Sequence, residues 1–287
     1  MKFLKKPLGF LFGQSKAGNS VQVQSLNLFS EYLDRDVILD IYLPPGFQNR
    51  KKNGYPFVLF NDGQDLWRMN PVITGILENL YTHKKIPPIL AIGVHASQQR
   101  MREYGTASQA DYKGRGDKAG VYESFIKEEL HPYLNRQLPI SDSSEDAAIA
   151  GFSLGGLSAF DIGWSNPELF GKIGVFSGAL WWRSSAVRPE DPDADRIMHE
   201  IVRQTKTISQ KQRFWFQCGT LDETEDRNNN GIIDSIDDTK DLIKCLIDKG
   251  VKTDSIRYLE IENGHHDPIT WGHVIPDFLE WSFNNGE

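Results

Sequence analysis

The feature that most constrains this chain is a five-residue turn, Gly151-Phe-Ser-Leu-Gly155. It fits the pattern G-x-S-x-G, in which a serine occupies a sharp turn between a strand and a helix. An apolar run over residues 146–150 precedes the turn, and a helical pattern follows it over 154–166. So sharp a turn leaves no room for side chains two positions either side of the serine, where this chain has glycine. The context predicts a strained elbow with Ser153 at its tip and a helix N-terminus beside it.

The rest of the chain alternates between strand and helix patterns. Short apolar runs bounded by turn residues are typical of strands buried on both faces, and the first two strands alternate as an antiparallel edge does. The predicted strands cover residues 21–29, 36–43, 55–60, 90–94, 146–150, 172–176, 213–217 and 256–261. The predicted helices cover residues 72–83, 120–134, 154–166, 194–204, 239–249 and 275–283. This order predicts an α/β fold with a mostly parallel central sheet, antiparallel N-terminal strands and helices on both faces.

No repeat and no Pro/Ser-rich linker interrupts this alternation. We therefore expect residues 1–287 to form a single domain, with 1–20 as a poorly defined N-terminal extension. The basic start of that extension resembles a signal peptide, but its apolar part, residues 8–12, is shorter than the roughly 7–15 residues such a region needs. With only two cysteines as well, we expect a cytoplasmic protein.

Charge narrows the possible partners. The chain has 39 Asp and Glu against 32 Lys and Arg, a net charge of −7, which argues against binding to nucleic acid or to an anionic membrane. The apolar runs are too short to span a bilayer. The expected partner is therefore a small molecule, and the sequence does not indicate an oligomeric state.

A serine nucleophile needs a general base, and the base needs an acid to orient it. The α/β-hydrolase order places the acid after the serine and the histidine last, each at the end of a strand. Asp222 follows the predicted strand 213–217, and Glu223 beside it is the competing acid. His265 and His266 follow the last predicted strand, and both are candidates for the base.

Residues 226–237 have the spacing of a calcium-binding EF-hand loop. Oxygen ligands are expected at alternate positions, with a glycine where the chain bends. Gly231 stands at that bend, and the proposed ligands are Asp226, Asn228, Asn230, Ile232 through its carbonyl, Asp234 and Asp237. A plain Asp/Asn-rich turn is the alternative. Asp in place of Glu at the last position and amides at two others predict that Ca²⁺ binds weakly, as a structural ion. Catalysis is expected to need no cofactor.

The longer segment that contains this loop, residues 222–241, accounts for most of the net charge. Residues 222–241 contain eight acids and two bases, so they contribute 8 − 2 = 6 of the seven excess negative charges. We expect this charge to serve a local site rather than a generally acidic surface.

Several segments between about residues 30 and 283 together resemble the "Putative esterase" family of α/β-hydrolases, which includes enterochelin esterases, S-formylglutathione hydrolases and microbial carbohydrate esterases. The matching segments are Phe57-Val-Leu-Phe-Asn-Asp-Gly-Gln-Asp-Leu66, Arg102-Glu-Tyr104, Phe125-Ile-Lys-Glu-Glu-Leu-His-Pro-Tyr133, Ala150-Gly-Phe-Ser-Leu-Gly-Gly156, Phe176-Ser-Gly-Ala179 and Asn263-Gly-His-His266 with Trp271. The resemblance implies an α/β-hydrolase fold and the hydrolysis of esters.

The resemblance also implies site residues. Relatives end in Gly-Gly-x-His with a Trp five residues later, which identifies His266 as the base because Trp271 follows it by five, although Asn263 replaces the first glycine. The oxyanion donors would be the backbone N–H of Leu154 and one from the loop near Gln64. Trp181 and Trp182 would line the acyl or sugar pocket, unless they serve only as packing.

These residues predict a serine carboxylic-ester hydrolase. Ser153 would attack the ester carbonyl, His266 would accept its proton, and Asp222 would hold the imidazole, through an acyl-enzyme on a small acylated sugar, siderophore or thioester-like substrate. One alternative is an acyltransferase that uses the same acyl-enzyme. Another, from a different class, is a non-catalytic calcium- or carbohydrate-binding protein on the same scaffold.

Overall fold

One eight-stranded sheet organises residues 20–284, the part of the chain that this computed structural model describes. The strand order is β1-β2-β4-β3-β5-β6-β7-β8. The strands are β1 Gln22–Ser30, β2 Arg35–Leu43, β3 Phe57–Asn61, β4 Leu90–Val94, β5 Ala147–Phe152, β6 Lys172–Phe176, β7 Arg213–Leu221 and β8 Ile256–His265. The predicted N-terminal extension, apart from Ser20, lies outside the described residues.

One strand, β2, runs opposite to all the others. β1 pairs antiparallel with β2 from Gln22↔Leu43 to Ser30↔Arg35, and β2 pairs antiparallel with β4. All other pairs, from β4·β3 to β7·β8, are parallel. The five residues of β3, of β4 and of β6 are all buried, as expected for strands covered on both faces, whereas β1 is largely exposed along alternate positions. The predicted α/β-hydrolase architecture is confirmed.

Helices cover both faces of the sheet, and a separate apolar core lies under each layer. The α-helices are α1 Ile73–Thr82, α2 Arg100–Glu103, α3 Ala119–Ser124, α4 His131–Gln137, α5 Leu154–Ser165, α6 Ile197–Gln204, α7 Asp234–Asp248 and α8 Pro268–Phe283. A π-helical turn, Phe125–Leu130, joins α3 to α4 without a break. One core includes α5 and α6, and the other lies beneath α1 and α8.

Two helices begin earlier than predicted, and a polar residue caps one of them. The last helix was expected from residue 275, but it begins at Pro268, where the Asp267 carboxylate accepts the N–H of Thr270 at 2.8 Å. α7 was expected from residue 239, but it begins at Asp234, within the acidic loop. Four of the five residues that α7 adds, 234–238, are polar, so an apolar periodicity does not register them. The residues that α8 adds include Pro268 and Gly272, which are poor helix formers.

Two further observations concern the helices and the cysteines. Among residues 20–284, no helix has both the length and the apolar character needed to cross a membrane. Cys218 and Cys245 are both free and buried, so neither forms a disulfide with the other.

Candidate active site

Ser153 stands at the strained turn between β5 and α5, with φ 55° and ψ −123°. Positive φ is costly for a residue with a side chain, so the surrounding structure must hold it. Glycine makes this possible: a Cβ on Gly151 would lie 2.2 Å from the carbonyl oxygen of Gly155, and a Cβ on Gly155 would lie 2.3 Å from Asp62 Oδ2. The predicted elbow is therefore present, and its glycines have the expected steric reason.

The backbone of Ser153 is tied to the neighbouring strand end. Its N–H donates to the carbonyl of Phe176 at 2.9 Å, and its carbonyl accepts the N–H of Ala179 at 3.1 Å. That carbonyl also accepts from Gly156 at 3.0 Å, the first bond of α5, so the N–H of Leu154 precedes the helix ladder. An N–H in this position is available to an anion beside the serine.

The second predicted donor lies on the loop after β3. Asp62 has the left-handed φ of 57°, and a 3-10 helix, Gly63–Trp67, follows it. The N–H of Asp65 donates to the carbonyl of Asp62 at 2.9 Å, so the N–H groups of Gly63 and Gln64 precede that helix's first bond. The side chain of Gln64 instead braces the loop, since its Oε1 accepts the N–H of Ala96 at 3.0 Å.

Asp222 and Glu223 face different neighbours. Glu223 Oε1 accepts the N–H of Ser235 at 2.5 Å in the first turn of α7, and its burial among other acids raises its pKa to about 7. Asp222 Oδ1 accepts the hydroxyl of Ser177 at 3.1 Å. Burial raises the pKa of Asp222 from its ordinary value, and the nearby His266 opposes that rise. Of the two acids, Asp222 is therefore the one whose charge acts on His266.

The two candidate histidines also have different neighbours. His265 is the last residue of β8, opposite Leu221, and its side chain is exposed. The His266 ring lies edge-on to Trp271, with centroids 5.5 Å apart. Although one side of His266 is open to solvent, partial desolvation lowers its pKa, Asp222 and Asp267 act to raise it, and Arg100 acts to lower it. Both histidines are exposed, but His266 is the one that contacts Trp271 and feels the charge of Asp222.

Ser177 is a further site residue, with no role predicted from the sequence. Its hydroxyl donates to Asp222 and accepts the indole N–H of Trp271 at 2.9 Å. The Trp271 ring in turn stacks on Phe152, next to Ser153, at 5.0 Å between centroids. This chain of contacts connects the strand ends that carry the serine, the acid and the histidine. The sequence does contain an indication of this role, because in the segment 176–179 a serine directly follows the strand after the elbow.

The two tryptophans have different environments. Trp182 is 0% exposed and packs in the core, where a Cβ on Gly105 or on Gly116 would lie 3.0 Å from its ring. The expectation that Trp182 lines a substrate pocket does not agree with this burial, because a side chain with no exposed surface offers none to a ligand. Trp181 is half-buried, with the Arg115 guanidinium 5.0 Å from its ring, and is the one that reaches the surface.

The acidic loop lies between β7 and α7. Asn228 Nδ2 and Asn230 Nδ2 both donate to Asp237 Oδ2, at 2.8 and 3.0 Å, so three of the predicted ligand side chains converge. Gly231 has φ 86° and donates its N–H to Asp226. Asp234 is instead paired with Arg227 at 3.1 Å. Across residues 20–284, no group of three His, Cys, Asp or Glu side chains is arranged to hold a metal by itself, so amide and carbonyl oxygens would have to complete the site.

The sheet order, the two helix layers and the elbow serine define a protein of the α/β-hydrolase fold. The family model described as "Putative esterase" matches residues 30–281, and the chain belongs to that family. The protein is accordingly a carboxylic ester hydrolase, which confirms the predicted class.

Two curated relatives match the chain at low identity. An uncharacterised protein of Bacillus subtilis (strain 168), YbbA, is 25% identical over 249 residues, 85% of this chain and 91% of its own length. The iron(III) enterobactin esterase of Escherichia coli (strain K12) is 22% identical over 216 residues, 75% of this chain and 46% of its own length.

Solved structures share the fold. An enterobactin esterase from Shigella flexneri superposes with a TM-score of 0.70 at 18% identity, and this chain spans 60% of its length. A ferulic acid esterase gives a TM-score of 0.69 at 16% identity and is covered over 99% of its length. At these identities the structures support the fold alone.

Proposed function

We propose that the protein hydrolyses carboxylic esters through Ser153, His266 and Asp222. The observation that carries the proposal is the buried Asp222 Oδ2, which has no hydrogen-bond partner among the described residues, although Oδ1 is held by Ser177. A buried carboxylate oxygen without a partner is costly, and the N–H of an imidazole would satisfy it. His266 is the neighbouring histidine whose charge Asp222 favours.

The proposed chemistry uses each group once in each half-reaction. Ser153 Oγ attacks the ester carbonyl while His266 removes its proton, and Asp222 orients the imidazole and stabilises its charged form. The oxyanion is met by the N–H of Leu154 and by one N–H from residues 63–65. His266 then gives its proton to the leaving alcohol, and a water molecule, activated by the same histidine, releases the acid.

The proposed substrates are small acylated molecules: acylated sugars, siderophore esters or thioester-like compounds. The relatives' names, enterobactin esterase and ferulic acid esterase, support aromatic acyl groups within this class. The half-buried Trp181 beside the Arg115 guanidinium offers a flat surface against which such a group can stack. A panel of acetyl, feruloyl and dihydroxybenzoyl esters together with a thioester would rank them by kcat/KM.

The test of the nucleophile is Ser153→Ala, with Ser165→Ala as a matched control because Ser165 is exposed at the end of the same helix. We expect turnover of p-nitrophenyl acetate to fall at least ~10³-fold in the first variant and to stay unchanged in the second. A fluorophosphonate should label the wild type and Ser165→Ala but not Ser153→Ala. Wild-type turnover by Ser153→Ala would refute the proposal.

The acyltransferase alternative is tested on the same enzyme. Water and an added alcohol compete for one acyl-enzyme, so the product ratio reports which acceptor the site prefers. We expect free acid to predominate in the presence of glycerol or glucose, since hydrolysis is the activity of the family. A predominance of transesterified product would assign the protein to the transferases.

We also propose that the loop 226–237 binds Ca²⁺ as a structural ion. The convergence of Asn228, Asn230 and Asp237 supports it, as does the left-handed φ of Gly231 where the EF-hand pattern requires a bend. The ion would neutralise acids in a loop that begins four residues after Asp222. No catalytic step depends on it.

Thermal unfolding measures this site directly. For an affinity of ~1 mM, typical of weak modules of this kind, 10 mM Ca²⁺ should add about 1.4 kcal/mol and raise Tm by about 2–4 °C. Asp237→Asn should abolish the rise, whereas Asp248→Asn, an exposed acid on α7, should retain it. No rise in the wild type relative to an EDTA-treated sample would refute the proposal.

A further inference from the structure

One guanidinium bridges the two segments that carry the proposed oxyanion donors. Arg100 is the first residue of the short helix α2. Its Nε donates to Asp62 Oδ1 at 2.7 Å and its Nη2 to Asp62 Oδ2 at 2.6 Å, which is a bidentate pair. The same Nη2 lies 3.3 Å from the carbonyl oxygen of Phe152, the residue before the elbow serine.

The side chain of Asp62 is fully buried, at 0% exposure, which is unusual for an acidic residue. It immediately precedes Gly63 and Gln64, whose N–H groups lie at the start of the 3-10 helix. Its carboxylate also packs against the elbow, since a Cβ on Gly155 would come within 2.3 Å of Asp62 Oδ2. The position of the Asp62 side chain therefore determines how close the oxyanion loop comes to α5.

The element that carries Arg100 holds Asp62 at two points. The backbone N–H of Asp62 donates to the hydroxyl of Tyr104 at 3.2 Å, at the other end of α2. α2 is itself anchored to the start of β2 by the ion pair of Glu103 with Arg35 at 2.6 Å. A rigid support of this kind fits a role in placing groups within the few tenths of an ångström that catalysis requires.

We propose that Arg100 is a positioning residue for ester hydrolysis: by joining Asp62 to the carbonyl of Phe152, it sets the separation between the oxyanion donors on residues 63–65 and the N–H of Leu154. This inference rests on the proposed function. Arg100 does not touch the reacting atoms; it acts through the two backbone segments that it connects.

The charge of Arg100 has a second, measurable effect. The groups whose charges act on His266 are Asp222 and Asp267, which raise its pKa, and Arg100, which lowers it. Removing the guanidinium therefore raises the pKa of His266. The acid limb of the rate profile should then move to higher pH, which a loss of packing alone would not cause.

The experiment compares Arg100→Gln and Arg100→Lys with Arg102→Gln. Arg102 is the matched control because it lies on the same helix and pairs with Asp117 on the surface, with 52% and 40% of the two side chains exposed. With p-nitrophenyl acetate, we expect kcat to fall ~10–100-fold in Arg100→Gln with KM changed less than about 3-fold, as for loss of an oxyanion donor. The kcat of Arg100→Lys should be intermediate, since an ammonium keeps the charge but cannot form the bidentate contact with Asp62. Arg102→Gln should match the wild type.

Two further measurements make the outcome decisive. Stoichiometric labelling of Ser153 by a fluorophosphonate shows that a variant is folded and has a reactive nucleophile. If the wild type itself is not labelled, the proposed function is refuted, and with it this inference. Arg100→Gln leaves Asp62 buried without its cation, so the double variant Asp62→Asn/Arg100→Gln is measured too. A double variant with reduced kcat supports positioning. Wild-type kcat in the double variant, or in Arg100→Gln itself, overturns it.

Discussion

Asp161 permits a quantitative prediction about the helix that follows the elbow. It lies on α5, is 3% exposed, and accepts the N–H of Ala107 at 2.7 Å through Oδ2. Desolvation by burial, with a smaller contribution from Glu123, raises its pKa from 3.8 to about 7. The folded protein therefore keeps a proton on this carboxyl at pH values where the unfolded chain has lost it.

The sign of the pH dependence follows from the linkage between proton binding and folding. Because the folded-state pKa of this acid is raised, the native state loses stability relative to the unfolded chain as pH rises from 3.8 towards 7, and nothing more is lost above. A shift of about 3 units at about 1.4 kcal/mol per unit limits this loss of unfolding free energy to about 4 kcal/mol at pH 8. About 2 kcal/mol of it is already lost at pH 5.

The perturbation is Asp161→Asn, which keeps the shape and an oxygen for the Ala107 N–H but cannot ionise. Its buried NH₂ costs stability equally at every pH, so that cost cancels when two pH values are compared. We expect the unfolding free energy of the variant, relative to the wild type, to rise by about 2 kcal/mol from pH 5 to pH 8. Urea unfolding followed by tryptophan fluorescence measures it.

The control is Asp248→Asn. Asp248 is on α7 with 63% of its side chain exposed and pairs with the exposed Lys244, so it lacks the burial that acts on Asp161. Its relative stability should change by less than about 0.5 kcal/mol over the same range. A difference for Asp161→Asn that is equally flat would refute the reasoning, since it would mean that Asp161 is not desolvated in the folded protein.

Three further predictions concern the site and its support. Because desolvation lowers the pKa of His266, the acid limb of kcat/KM should have its midpoint below about 6.5, and a midpoint above it would contradict this assignment. Gly155→Ala, whose Cβ would lie 2.3 Å from a buried carboxylate oxygen, should lower kcat at least ~10-fold. Gly75→Ala, with its nearest atom at 3.7 Å, should not, and equal rates in the two variants would count against the close packing. Trp182→Ala should cost about 3–5 kcal/mol in urea unfolding, and a loss below 1 kcal/mol would contradict its core position.

Elements that are bounded by local signals were predictable. β4 and β6 lie where predicted, at Leu90–Val94 and Lys172–Phe176, because each is a short apolar run between turn residues. α2 was missed because four polar or exposed residues carry no apolar period. The early start of α7 lies in a polar first turn, which periodicity does not register, whereas that of α8 follows the Asp267 cap and contains Pro268.

The sequence by itself determined the elbow, the direction of most strands and the class of enzyme. A strand, two glycines and a helix surround Ser153 within a dozen residues, so local sterics suffice to predict that turn. The tertiary structure decided which neighbours complete the site. Ser177 and Trp271 are 94 residues apart and Arg100 is 38 from Asp62, so only the folding of the sheet edge brings them together. Adjacent residues such as Asp222 and Glu223 differ in role because successive side chains near a strand end point in different directions, and the surroundings they meet are set by distant parts of the chain.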